Sequence, residues 1–147
     1  MSAGAGYSGT PLTKKLGIAA GTRVRIAGVP AVYRDWLAPL PDGVVFAARV
    51  DAQADLVHAF HLRAAQLADD LVRLRATLRD DAVLWISWPK RSAGAATDIT
   101  EDTIRALALP LGFIDVKVCA VDATWSGLKL VVRRELRAFA RPSKKPA

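Results

Sequence analysis

The sequence predicts an α/β fold, a mostly parallel sheet layered between helices and finished by a C-terminal antiparallel hairpin. Three observations predict it. Short strand-like runs alternate with segments of helical period along most of the chain. The runs at 55–60 and 82–88 are almost continuously apolar, as strands covered on both faces must be. Two further runs, at 113–121 and 128–134, flank a turn at 122–127 and read as a hairpin.

Taken in order, residues 1–9 are rich in Gly, Ser and Ala and are expected to be mobile. Thr10-Pro11 opens a short helix, with Thr as N-cap and Pro at the first helical position, and Gly17 stops it. A strand over 23–27 puts Val24 and Ile26 on one face, and Gly28-Val29-Pro30 breaks it. A short helix over 32–38 carries Tyr33, Trp36 and Leu37 as its apolar stripe, and a short strand follows at 44–47. The link 49–54 is too short for a helical crossover. Either it is an extended strap that returns the chain to the other edge of the sheet, or the strand at 44–47 runs antiparallel to its successor. Residues 62–79 form the clearest helix, with Ala64, Leu67, Leu71, Leu74 and Leu78 at spacings of three and four. A further helix opens at Asp98 or Thr100, where Asp98 and Glu101 fit a capping box, and Pro110 disturbs its last turn.

Composition bounds the function classes. At 147 residues, 52% of them hydrophobic, the chain can bury a core without metal or disulfides. Residues 10–134 read as one domain, and 135–147 as a basic tail. No apolar run is long enough to span a bilayer, and no secretory signal opens the chain. The lone Cys119 forms no internal disulfide and reads as a small buried hydrophobe, so a reducing cytoplasm is the expected compartment. Of the net charge of +7, residues 133–147 contribute +5. Such a tail either solubilises the chain or holds nucleic acid through phosphates without reading sequence.

The lead-in 16–24, the strand Asp55-Leu56-Val57-His58-Ala59-Phe60, the long helix, the strand into Ser87-Trp88-Pro89 and the closing hairpin resemble Rossmann-like S-adenosylmethionine methyltransferases. That resemblance implies a three-layer Rossmann-like sandwich of reduced topology. It also implies a glycine-rich turn and an acid at the first strand, and here the family pattern breaks. Ile26 stands where the acid belongs and Pro30 where a second glycine belongs, leaving Gly28. The strand–helix unit that supplies a ribose-binding acid is missing after Val44. A second resemblance covers nearly the whole chain. The segments Tyr7-Ser8-Gly9-Thr10-Pro11-Leu12, Lys15-Leu16-Gly17-Ile18, Leu84-Trp85-Ile86-Ser87-Trp88-Pro89-Lys90, Thr97-Asp98-Ile99-Thr100-Glu101-Asp102 and 115–129 are similar to the bacterial domain of unknown function 3052 family, which brings no known activity.

In open α/β sheets, ligands bind outside the carboxyl ends of the strands. That rim gathers His61, Ser87, Trp88, Lys90, Arg91, Thr100, Asp122 and Trp125 as candidate ligand-binding residues. Lys90 and Arg91 either face the N-terminus of the helix at Thr100 to make an anion pocket or pair with Asp98, Glu101 and Asp102. A hydrolase triad of Ser87 or Ser92 with His61 and Asp122 lacks a Gly-x-Ser-x-Gly elbow. His58 and His61 face opposite sides of a strand, which speaks against a shared metal, and His58 reads as a satisfied core histidine. Trp85 and Trp88 read as core, and Trp125 as a turn residue over the rim. The expectation is a non-catalytic binding or regulatory module without a resident cofactor, taking an anionic small molecule or a protein partner at this rim. An S-adenosylmethionine- or nucleotide-dependent enzyme and non-specific nucleic-acid binding through the tail are the alternatives.

Overall fold

A computed structural model describes residues 9–137. The mobile start expected at 1–9, save Gly9, and most of the basic tail fall outside the described residues. The elements are α1 (Leu12–Leu16), β1 (Arg23–Ala27), α2 (Tyr33–Trp36), β2 (Val45–Phe46), β3 (Leu56–Phe60), α3 (Ala64–Thr77), β4 (Val83–Pro89), α4 (Glu101–Ala108), β5 (Phe113–Ala120) and β6 (Trp125–Val132). The six strands form one sheet in the order β2-β1-β3-β4-β6-β5. β2, β1, β3 and β4 pair in parallel, and β6 runs antiparallel to both β4 and β5. The predicted hairpin is therefore present, but its second strand lies inside the sheet and its first forms the edge.

Each face of the sheet carries its own core. On one, Leu12 and Leu16 of α1 and Tyr33 of α2 pack on Val24, Leu56, Phe60 and Trp85. On the other, Leu67, Leu71 and Leu74 of α3 and Ile104 and Ala108 of α4 pack on Val57, Ala59, Leu84, Ile86 and Trp88. β3 and β4 feed both cores, which is why their sequences are nearly unbroken apolar runs. Burying one such leucine contributes about 1.5–3 kcal/mol. The Trp85 indole N–H donates to the Leu16 carbonyl at 2.9 Å, tying α1 to the sheet centre. Gly127 on β6 makes room for that indole, since a Cβ there would sit 3.2 Å from the ring.

Local signals were mostly used as expected, with informative departures. α1 ends on Gly17 in the left-handed conformation (φ 84°), but Pro11, with extended ψ, precedes its first turn and Thr10 does not cap it. β2 shrinks to Val45–Phe46 because it is an outer strand held only by β1. α4 is capped by Thr100, whose hydroxyl accepts the Thr103 N–H while Thr103 returns the favour to the Thr100 N–H. Asp98 instead accepts the Ala64 N–H at 2.7 Å and so starts α3. Pro110 converts the end of α4 into a tighter turn over Leu109–Leu111. A register shift between Asp115 and Lys117 interrupts the pairing of β5 with β6. Trp125 is the first residue of β6, paired with Pro89, where a turn was expected.

The link after β2 is an extended strap, but it delivers the chain to an inner strand and not to the other edge. It leaves the outer strand, passes β1 and enters β3 on the far side, so β2 and β3 flank β1 in parallel. Arg79 holds it there by donating to the Ala52 carbonyl and to the carboxylates of Asp55 and Asp81. Among the described residues no crossover helix covers β1 on the α3 side as a result. Among the described residues no helix is long and apolar enough to cross a membrane.

Candidate active site

β1 leads to β2 on one side and the chain then crosses to β3 on the other, so the sheet has its topological switch point between β1 and β3. Gly28 ends β1 there with φ 68°. A Cβ at Gly28 would lie 2.8 Å from the Phe60 carbonyl oxygen, so only glycine permits this close approach of the two strand ends. Two clefts open on either side of the bend. One, of about 740 Å³, lies between α3, the strap and the open face of β1, with Arg25, Arg49 and Arg73 among its walls and Ala27 and Val50 as its accessible apolar lining. The other, of about 500 Å³, is bounded by Pro30, Leu62, Arg63 and Trp125. Gly28, Phe60, His61 and Gln66 line both.

His61 stands at this junction. Its backbone N–H donates to the Ser87 carbonyl at 3.0 Å, which fixes the residue at the end of β3. Its Nε2 lies 2.8 Å from Asp70 Oδ2 on α3. Both side chains are nearly covered, at 13% and 11% exposure, while the Arg73 guanidinium donates to the other Asp70 oxygen and extends to solvent. Burial pushes the Asp70 carboxyl up, but the hydrogen bonds and charges of His61 and Arg73 outweigh it and hold the group below the usual aspartate range. An imidazole oriented by an ionised carboxylate at the lip of a cleft is equipped to accept or deliver a proton.

The other predicted rim residues divide. Trp88, Lys90, Arg91 and Thr100 do come together, around a third cleft of about 470 Å³. Glu101, the acid among its lining residues, pairs with Arg105, as does the neighbouring Asp102. Lys90 Nζ donates to the Asp122 carbonyl at 2.9 Å. The Asp122 carboxylate accepts the N–H groups of Thr124 and Trp125, at 2.9 and 2.8 Å, and so shapes the β5–β6 turn. Trp125 packs edge-on against Phe60 with centroids 4.9 Å apart and forms a wall of the cleft that holds His61.

Ser87 does not belong to the rim. It is fully buried and shares a core network with His58 and Tyr33. Its hydroxyl lies 2.7 Å from His58 Nε2, and the Tyr33 hydroxyl lies 2.8 Å from Nδ1. Burial drives the His58 pKa down to about 3 and pushes the Tyr33 phenol up, so all three are neutral. A neutral imidazole donates from one nitrogen and accepts at the other, which satisfies both hydroxyls. Burial also raises the Cys119 thiol against the pull of Lys15 and Lys117, which disfavours a reactive thiolate.

Sequence reasoning passed over Asp70, Gln66, Arg25 and Arg49. Two signals were available. Asp70 precedes Leu71 and therefore flanks the apolar stripe of α3, on the side facing the end of β3. Arg25 sits between Val24 and Ile26, so a charge occupies the face of an inner strand that a helix ordinarily covers.

No family model and no curated protein matches the chain. Solved structures do match. The B. subtilis M1A22 tRNA methyltransferase TrmK superposes with a TM-score of 0.58 at 11% identity, over 84% of this chain and 65% of that one. A SAM-dependent methyltransferase from Aquifex aeolicus gives 0.56 at 14% identity, over 82% and 87%. The magnesium protoporphyrin IX methyltransferase of Synechocystis PCC 6803, with SAM bound, gives 0.53 at 11% identity, over 82% and 74%. The chain thus spans slightly less than two thirds of the length of TrmK. The fold is the Rossmann-like methyltransferase architecture, six-stranded and mostly parallel with its antiparallel C-terminal pair. The expectation of a non-catalytic module is corrected by these neighbours. All three are described as methyltransferases, one with SAM bound, so the alternative of an enzyme is the one they favour.

Proposed function

We propose that this chain is an enzyme that seats a nucleoside-bearing cosubstrate, S-adenosylmethionine or a nucleotide, at the β1–β3 switch point, with His61 and Asp70 as its proton-handling pair. One observation carries the reading: two clefts meet at the glycine bend of Gly28, and the histidine–carboxylate pair lies where they join. The cleft along α3 has an apolar floor for a base and polar walls for a ribose, the usual composition of a small-ligand site. The adenosine half of S-adenosylmethionine suits it. The methionine half fits poorly, because Pro30 offers no N–H at the turn and Ile26 packs into the core on the α1 and α2 face, away from the cleft. His61 would move a proton to or from a substrate group in the cleft bounded by Trp125, with Asp70 holding the ring and Arg73 balancing the carboxylate. With it we propose a single domain over 10–134 and a cytoplasmic setting; no family model supports the similarity to the domain of unknown function 3052 family.

Isothermal titration of the full chain with S-adenosylmethionine, S-adenosylhomocysteine, ADP and ATP tests it. At least one should bind stoichiometrically with micromolar affinity. Gln66→Trp should abolish that binding, because Gln66 is exposed and lines both clefts, so the fold is preserved while the space is filled. Failure of all four ligands to bind, or full binding by Gln66→Trp, overturns the proposal.

A further inference from the structure

The cleft that the missing crossover helix leaves open is cationic. Arg25 projects from β1 onto the uncovered face and donates from Nη1 to the Ala48 carbonyl at 3.0 Å. Its Nε is buried without a hydrogen-bond partner. Arg49 follows on the strap, exposed at the cleft wall, and Arg73 comes from α3 on the opposite wall. The facing acids are Asp69 and Asp70, and Asp70 is already held by His61 and Arg73. Positive charge is therefore in excess on the side where β2 ends.

That side has a particular meaning in a sheet of this kind. The residue after the second strand meets the ribose of a bound nucleoside ligand. A carboxylate there accepts the ribose hydroxyls, whereas an arginine accommodates a phosphate. After β2 this chain reads Ala47-Ala48-Arg49-Val50-Asp51. The nearest carboxylate, Asp51, accepts the Gln53 N–H at 2.8 Å within its own turn and does not line the cleft. S-adenosylmethionine carries a sulfonium and an ammonium against one carboxylate, so a cleft with surplus arginines disfavours it. A phosphate presents acceptor oxygens to guanidinium forks and matches the same donors.

We infer that the ligand of this site is a phosphorylated nucleotide, with the phosphate held by Arg25 and Arg49 and the nucleoside against Ala27 and Val50. This rests on the enzyme reading above and narrows its cosubstrate to one class. Titration of the full chain with ADP, adenosine 2′,5′-bisphosphate, adenosine, pyrophosphate and S-adenosylmethionine tests it. The better of the two phosphorylated nucleotides should bind at least about tenfold tighter than adenosine or pyrophosphate, the effect of one or two charge-assisted hydrogen bonds. Arg25→Gln and Arg49→Gln should each weaken that binding about tenfold and leave adenosine unaffected. Arg49 is exposed, so its variant remains informative if Arg25→Gln lowers stability. S-adenosylmethionine binding tighter than both nucleotides overturns the inference and leaves the enzyme reading standing. Pyrophosphate binding as tightly as the nucleotides also overturns it, by removing the nucleoside. Failure of every nucleoside-bearing ligand overturns both.

Discussion

The two faces of the sheet at β1 and β3 solve the same problem in opposite ways. On the α1 and α2 face the polar groups of the core are answered: His58 bridges Tyr33 and Ser87, and the Trp85 indole finds the Leu16 carbonyl. On the α3 face the strap replaces a helix, and Arg25, Arg49, Arg73 and the His61–Asp70 pair border open space. Two histidines of one short segment thus have different fates. His58 is fully buried and neutral, while His61 reaches the lip of a cleft. Polar groups on the closed face should govern stability, and those on the open face should govern binding.

The largest effect belongs to Trp85. Replacing it with Ala removes the biggest fully buried side chain and orphans the Leu16 carbonyl, so chemical denaturation should report a loss of about 3–5 kcal/mol. A loss under 1 kcal/mol would mean that the closed face is not the structural half.

Acid is the next lever. Burial lowers the His58 pKa from 6.5 to about 3 in the folded state, so the unfolded chain binds more protons between those values. Stability from this group is complete above the unfolded pKa and falls as pH drops, with a limiting slope of about 1.4 kcal/mol per pH unit. Asp70, whose pKa is also lowered on folding, adds a loss of the same sign only below about pH 4. Denaturation midpoints measured between pH 6 and 4.5 should therefore isolate His58, and His58→Gln should flatten that limb. An unchanged slope in the variant would assign the titration to another group.

Tyr33→Phe is milder and more specific. It keeps the ring against Phe60 and Trp36 and removes only the partner of His58 Nδ1, at an expected cost of about 1–3 kcal/mol. Nucleotide or S-adenosylmethionine affinity should be unaltered, because the network lies beneath the sheet and not in the clefts.

The sequence carried the closed face better than the open one, for a physical reason. Cores are written in periodicity, and the alternation at Val24 and Ile26, the stripe of α3 and the apolar runs of β3 and β4 could be read directly. His58 as a satisfied core residue followed from the same pattern. Sites are written in proximity between segments distant in the chain, which periodicity does not encode. His61 and Trp125 could be placed on the rim because strand direction alone puts them there. Asp70 could not be matched to His61 without knowing how α3 lies across β3. Ser87 was misplaced because its position near the end of β4 suggested the rim, while its strand parity points it into the core beside Trp85. The short link at 49–54 and the missing unit after Val44 could be read, but not that their absence leaves a cleft between α3 and β1.

The smallest effect is the sharpest test of the contrast. Arg49 is exposed, and no core residue depends on it, so Arg49→Ala should change unfolding free energy by no more than about 0.5 kcal/mol. A guanidinium kept at a cleft wall without a structural task is what a binding role requires. If Arg49→Ala instead costs as much as Tyr33→Phe, the arginines of the open face are holding the strap in place, and the division of labour between the two faces fails.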